Sequence, residues 1–585
     1  MCLSGSLTCR RRRRIQLVLL TGNIRPVDGI SRSGIAPIPA SGKDIAQTNV
    51  SPAMTESNQP NNTQGPEPPK LPGPAPGIRW WPLIVIVFGA LLLIVTILAL
   101  SETNRQMGVM ICMLVVMAAF GLTLLWLVLF SRLPKFPRKA GLFGIVVFFA
   151  AGYALFDIKG TSGDLTPIIG WRFQSDDLAV PEATSALAEA TKTIVGAADF
   201  PQFFGPNRDG KLSGPMLALD WKAQPPVEIW RKEVGAGWSG FSVVGRFAIT
   251  QEQRREMETV VCYDLTTGDV IWTHTDAARY FTRLGGLGPR ATPTIDGDLV
   301  FTQGATGILN CLKVRTGKSI WSVDILEDNA AKLPEWGVSG SPLILDDRVI
   351  VNPGGYSRRS IVAYKKATGE RAWSGGSNGA NWSSPALATI GGVRQILMFG
   401  HEGIAGHDAN GGKVLWSYPW KGGHPHVSMP LALDGDHVLV SSGYGTGSQA
   451  LKITALDSGD FTVDRAWRSM AMKAKFVNLI QLDGYIYGLD DGSLACMNAE
   501  TGKRAWKGDR FGHGQILLIG KVLLLLAENG EAILFDPNPE EQREWTRFQA
   551  LTGKTWNPPA LAGAYLLVRN DKETACFRLP IMAAP

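Results

Sequence analysis

His424 and His426, in "HPHVS", stand two residues apart, the spacing that turns two imidazoles to one side of an extended strand. Such a pair is half of a metal site. A metal needs more ligands than two, and no third is identifiable, so the expectation is a pair of imidazoles lining a polar loop with no metal bound. Two other local signatures are missing. There is no Cys-x-x-Cys-His haem attachment and no paired Cys-x-x-Cys zinc pattern.

What remains for ligand recognition is spread over eight short loops: "GAGWSGFSV", "LGPRATPTI", "EWGVSGSPL", "NWSSPAL", "HPHVSMPL", "KFVNLI", "GHGQILL" and "TWNPPAL". The first four contribute Trp238, Arg290, Trp336 and Trp382. The others contribute His424 and His426, Lys475 and Asn478, His513 and Gln515, and Trp556 and Asn557. Aromatic faces beside cations and amides suit a flat polar or anionic ligand, or a peptide; water filling a channel would also call for polar loops. These twelve are the candidate ligand-binding residues, and no catalytic residue is identifiable.

Loops so far apart in sequence converge only if the fold is circular, and the chain carries the matching repeat. In "VVCYDLTTGDVIW", "LNCLKVRTGKSIW", "IVAYKKATGERAW", "GIAGHDANGGKVLW" and "LACMNAETGKRAW" a Gly stands four residues before a Trp. Each copy reads as a strand, a tight turn whose Gly takes positive φ, and a strand carrying Trp. With the degenerate copies ending at Trp230, Trp467 and Trp545, the series 230, 272, 321, 373, 416, 467, 506, 545 has intervals of 39 to 52 residues. That is the length of a four-stranded propeller blade. After Trp545 three more strands are expected around "NPPAL", "AYLLV" and "ACFRL", and the missing fourth is "PPVEIW" from the start of the domain. The expected fold is all-β, an eight-bladed propeller of four-stranded antiparallel blades over residues 199–585, closed by pairing its two ends. Each Trp is expected to pack between neighbouring blades. Cys262, Cys311, Cys496 and Cys576 occupy equivalent positions in separate blades, so no disulfide is expected.

Ahead of the propeller lie three apolar runs, 80–100, 107–130 and 140–156, none with an ionisable acid or base. They are expected to be transmembrane helices. "SETNRQ" between the first two has one Arg and one Glu, whereas "SRLPKFPRKA" carries Arg132, Lys135, Arg138 and Lys139. The basic loop should stay in the cytoplasm, and three spans then deliver the propeller outside, to the periplasm of a bacterial cell. Residues 158–198 are expected to be a linker. Residues 1–78 read as a disordered region, and "IQLVLL" is too short for a cleaved signal; a start at Met54 is an alternative. The net charge of +7 does not point to nucleic acid, because residues 1–53 hold eight Lys/Arg against two Asp and so carry +6 of it.

The small-x-Pro strand entries, the Thr-Gly-x-x-x-Trp hairpins and the lead-in "DFPQFFGPNRDG" resemble the PQQ-like, quinoprotein-type β-propeller family over residues 199–580. The resemblance implies one of two roles. Dehydrogenases of the family hold pyrroloquinoline quinone with Ca²⁺ in the funnel, and some are preceded by transmembrane helices; other members are cofactor-free components of envelope assembly machinery. Alcohol-oxidising members carry adjacent cysteines, which this chain lacks, and the acids near its entry loops are Glu335 and Glu252. The expectation is a scaffold in the cell membrane, multi-pass, binding an envelope protein partner or small ligand rather than catalysing oxidation. The alternative is a membrane-bound quinoprotein dehydrogenase feeding the respiratory quinone pool, with pyrroloquinoline quinone and Ca²⁺ as cofactors.

Overall fold

A computed structural model describes residues 77–101, 105–173, 178–183, 199–355, 357, 359–422 and 425–582. Three helices come first: α1 (Trp81–Leu100), α2 (Arg105–Leu125, continued by a wider turn over Trp126–Phe130) and α3 (Lys135–Leu155). Each is long and apolar enough to cross a membrane. No residue of α1 or α3 is buried by protein, and an apolar helix left bare all round has lipid as its natural solvent. The helix α3 starts earlier than the expected span at 140, so Lys135, Arg138 and Lys139 belong to its first turns and not to a loop. Pro137 is tolerated there because the first turn lacks intrahelical N–H bonds.

Part of the stretch expected to be a linker is ordered as a hairpin. Strand β1 (Phe156–Thr161) leaves α3 directly and pairs with β2 (Pro167–Trp171). Its turn is closed by Ser162 N–H to Thr166 O at 2.9 Å and Leu165 N–H to Ser162 O at 3.0 Å.

The propeller follows, with eight four-stranded antiparallel blades. The first runs Ser242–Val244, Phe247–Arg254, Met257–Asp264 and Val270–Asp276, and in every blade but the last the four strands pair in chain order. The last blade takes Ala560–Ala562, Tyr565–Arg569 and Glu573–Arg578, and its outer strand is Val227–Glu233, with Trp230 opposite Cys576. The ring therefore closes through the predicted pairing of its two ends. Middle strands such as Val522–Leu526 are buried on both faces by neighbouring blades, so they read as continuous apolar runs without alternation.

The repeated Gly has a second reason besides its turn. A β-carbon on Gly268 would stand 2.6 Å from the Trp230 ring, on Gly369 2.7 Å from Trp321, and on Gly502 2.5 Å from Trp467. Each indole lies on the Thr-Gly turn of the next blade. Most of these indoles also donate to a backbone carbonyl of the neighbouring blade, as Trp272 does to Val314 O at 2.7 Å and Trp506 to Asn538 O at 2.8 Å. Trp545 departs from the expected ring of buried tryptophans: it is 42% exposed. Its neighbour is the closing blade, where the chain ends are non-covalently paired and no Thr-Gly turn exists to cover an indole.

The lead-in enters the channel and returns. Asp199 accepts from Gly245 N–H, Phe200 bridges Val243, and Lys211–Leu212 leaves alongside Leu518 and Ile519. Between these points Arg208 donates to Pro342 O, Ser341 O and Pro385 O at 3.0, 3.1 and 3.2 Å. Burial pushes its guanidinium down to about 9.

Candidate functional site

At the other end of the channel the entry loops surround a cavity of about 390 Å³. Eight of the twelve candidate residues line it: Trp238, Arg290, Trp336, Trp382, Lys475, Asn478, Gln515 and Trp556. Two aromatic walls form, because the loops carrying Trp336 and Trp382, and those carrying Trp556 and Trp238, belong to neighbouring blades, and Phe476 reaches Trp556 across the blade between them. Trp336 and Trp382 pack at a 32° tilt with centroids 4.6 Å apart, and Trp238, Trp556 and Phe476 form a chain with 5.0 Å at each step. Lys554 Nζ rests 4.5 Å from the Trp238 ring and 4.4 Å from the Trp556 ring, a cation held between two π faces. Burial lowers its pKa.

The polar members of the wall are mostly committed to the fold. Arg290 donates to Gly285 O at 2.9 Å, to Gly286 O at 3.1 Å and to Gly288 O, and its guanidinium lies over Tyr280. Burial brings it down to about 10. Asn478 accepts Met429 N–H at 2.8 Å, and Gln515 donates to Phe476 O and Trp556 O at 2.8 and 3.1 Å. Phe203, from the lead-in, also lines the cavity.

Of the other four candidates, His426, His513 and Asn557 are placed elsewhere. His426 is buried face to face on Phe399, rings 4.2 Å apart and 3° from parallel, with Nδ1 2.8 Å from Gly400 O. Asn557 donates to Gly237 O and Ser239 O at 3.0 and 2.9 Å, tying the last entry loop to the first. His513 lies under the β1–β2 turn, and His424 lies outside the described residues. Among the described residues no group of three or more His, Cys, Asp or Glu is arranged to hold a metal. Cys262, Cys311, Cys496 and Cys576 are free and buried in their separate blades.

Sequence reasoning missed the hairpin. Thr161, Ser162, Gly163 and Leu165 line the cavity, as does Gln106 from the start of α2. Lys475 Nζ bonds Gln106 Oε1 at 2.8 Å and Gly163 O at 2.5 Å, and burial lowers its pKa against the pull of Asp491, Asp164 and Glu528. Arg510 Nη2 takes both oxygens of Asp164 at 2.6 and 2.5 Å, with His513 Nε2 3.5 Å away. Burial pushes the Asp164 carboxyl up, yet His513 and Arg510 prevail and hold it at about 2.

Pyrroloquinoline quinone with Ca²⁺ would need a particular set of donors. Ca²⁺ takes six to eight oxygen ligands, and oxidation of an alcohol needs a carboxylate base. Among the described residues, none that lines the cavity is an Asp or Glu. Glu335 is exposed, and Glu252 is buried in bonds from Gly235 N–H, Arg254 and Tyr263 at 2.7 to 2.8 Å. Glu528 accepts from Trp556 Nε1, Gly163 N–H and His513 N–H at 2.8 to 3.1 Å. These residues do not fit the group.

A family model described as outer membrane protein assembly factor BamB matches residues 256–508. No curated protein matches the chain in sequence. Among solved structures, a europium-containing methanol dehydrogenase aligns with a TM-score of 0.51 at 13% identity, over 67% of this chain and 99% of that one. BamB from Moraxella catarrhalis gives 0.45 at 15%, over 62% and 99%, and quinohemoprotein alcohol dehydrogenase from Comamonas testosteroni 0.48 at 13%, over 66% and 81%. At such identities the likeness is one of fold.

Proposed function

We propose that this propeller of PQQ-like repeats, preceded by three apolar helices, is a membrane-anchored scaffold that binds a partner protein or small ligand in its funnel, outside the cytoplasm. The observation that carries the reading is the composition of the cavity wall: four tryptophans, two phenylalanines, Arg290, Lys475 and small polar groups, with no carboxylate among the described residues that line it. Such a wall recognises flat or apolar surface by stacking and burial. Among the described residues it offers no carboxylate base and no oxygen cluster for a cation.

Titration of the full chain in detergent with pyrroloquinoline quinone and Ca²⁺, following heat and cofactor absorbance, tests this directly. The scaffold reading expects no stoichiometric binding at high micromolar cofactor, and expects a photo-crosslinker at Trp336 to capture a protein partner in native membranes. One-to-one cofactor binding would overturn it in favour of a membrane-bound quinoprotein dehydrogenase.

A further inference from the structure

The tip of the β1–β2 hairpin is read by the propeller in the way a peptide site reads a ligand. Lys554 Nζ donates to Thr161 O at 3.2 Å and Lys475 Nζ to Gly163 O at 2.5 Å. Glu528 Oε1 accepts Gly163 N–H at 2.8 Å, and Arg510 grips the Asp164 carboxylate through both oxygens. Main-chain groups are matched at two residues, and one acidic side chain is selected by charge. The fit is close, since a β-carbon on Gly163 would run into the His513 ring.

Much of the rest of the hairpin is open. Phe156, Asp157, Ile158 and Lys159 of β1 and Pro167, Ile168, Ile169 and Trp171 of β2 are exposed, and no hairpin residue belongs to a hydrophobic core cluster of the propeller. The hydrogen bonds that dock it on the propeller lie at its tip, Thr161 to Asp164, the kind of contact another chain's turn can reproduce. The turn also carries a cost of its own, because Leu165 takes φ +64°, a conformation β-carbons resist. Leu165 is the one apolar side chain that the tip places against the aromatic cavity beneath it.

We propose that the funnel mouth is a recognition site for a β-turn bearing an acidic residue followed by an apolar one, and that the chain's own hairpin tip is its resident, exchangeable occupant. The inference rests on the scaffold reading and names the partner's chemistry: a protein that presents such a turn. Its aspartate or glutamate replaces Asp164 on Arg510, its main chain takes over Lys475 and Glu528, and its apolar side chain enters the space between the two tryptophan walls. Binding then frees the propeller from the hairpin that follows α3.

The test uses the full chain in lipid nanodiscs and a fluorescent cyclic peptide of residues 156–171. The resident tip competes at the high effective concentration of a tethered ligand. The peptide should therefore bind the Asp164→Ala chain at least tenfold more tightly than wild type, and Gly163→Ala should have the same effect by an independent steric route. Adding Arg510→Ala to either variant should abolish binding, and saturating peptide should raise hydrogen exchange at residues 161–166 of the wild-type chain. Equal affinity for wild type and both tip variants, or binding that survives Arg510→Ala, would overturn the proposal. The two readings fail separately: peptide failure with partner capture by the Trp336 crosslinker removes only the turn site, whereas stoichiometric cofactor binding removes the scaffold.

Discussion

The indole of Trp230 lies on Gly268, and its N–H donates to Leu265 O at 2.9 Å within the same turn. One residue supplies the last strand of the ring and the other the outer turn of the first blade, so the contact fastens the closure. Gly268→Ala puts a β-carbon 2.6 Å from that ring at φ +71°. The expected loss is about 2 to 4 kcal/mol, from overpacking plus the left-handed backbone. Gly245→Ala, at φ +55° with nothing within 4 Å, should lose only about 1 to 2 kcal/mol. Urea unfolding followed by tryptophan fluorescence separates the two, and equal losses would show that the close approach contributes nothing.

The propeller was legible because blade packing repeats: one indole on one glycine, written at a regular interval. The recurrence even located the seam, since Trp230 lacked a partner strand before it and Cys576 lacked one after it. Where the repeat breaks, reading it as uniform misplaced Trp545, which faces a turn that the closure removes. The floor and rim of the cavity have no such periodicity. Asp164 meets Arg510 across 346 residues, and nothing in "TSGDLT" distinguishes a docked turn from a linker. The polarity of His426 and Asn557 suggests a ligand, but polar side chains at entry loops are also what the backbone needs to join one blade to the next.

Docking of the hairpin should be sensitive to acid. The Asp164 carboxyl falls from an ordinary value near 3.8 to about 2, so the folded state favours its ionised form. A depressed carboxyl contributes its stability above the undocked pKa and loses it as pH falls through the docked one. The contact should therefore be intact above about pH 4 and lost toward pH 2, a change of about 2 kcal/mol. Hydrogen exchange of residues 161–166 against pH should show this step in wild type. In Asp164→Asn the step should vanish, with protection already reduced at neutral pH.

Glu258 predicts the opposite slope. Burial raises its carboxyl to about 7, against the bond it accepts from Ala305 N–H at 3.0 Å. A raised carboxyl favours the folded state while protonated, so its contribution is full below about pH 4.5 and lost as pH rises through 7. Glu258→Gln keeps an acceptor for Ala305 and cannot ionise. It should melt like wild type near pH 5 and be more stable at pH 8 by about 2 to 3 kcal/mol. Thermal unfolding at the two pH values checks this, and an equal melting point at pH 8 would contradict the buried ionisation.

The contacts of Lys475 also bear on membrane orientation. It bonds Gln106, at the start of α2, and Gly163, just beyond the end of α3, so both lie at the propeller's side of the helices. If the three helices span, Arg132 and the basic first turns of α3 lie on the opposite side, which the positive-inside bias assigns to the cytoplasm. A membrane-impermeant maleimide applied to intact cells should then label Ser458→Cys, on an exposed outer turn, and leave Arg132→Cys unlabelled until the cells are permeabilised. The propeller's own Cys262, Cys311, Cys496 and Cys576 are buried and should give little background. Labelling in the reverse order would place the funnel in the cytoplasm. The turn-bearing partner would then have to be sought among cytoplasmic proteins, with the recognition chemistry of Arg510 and Lys475 unchanged.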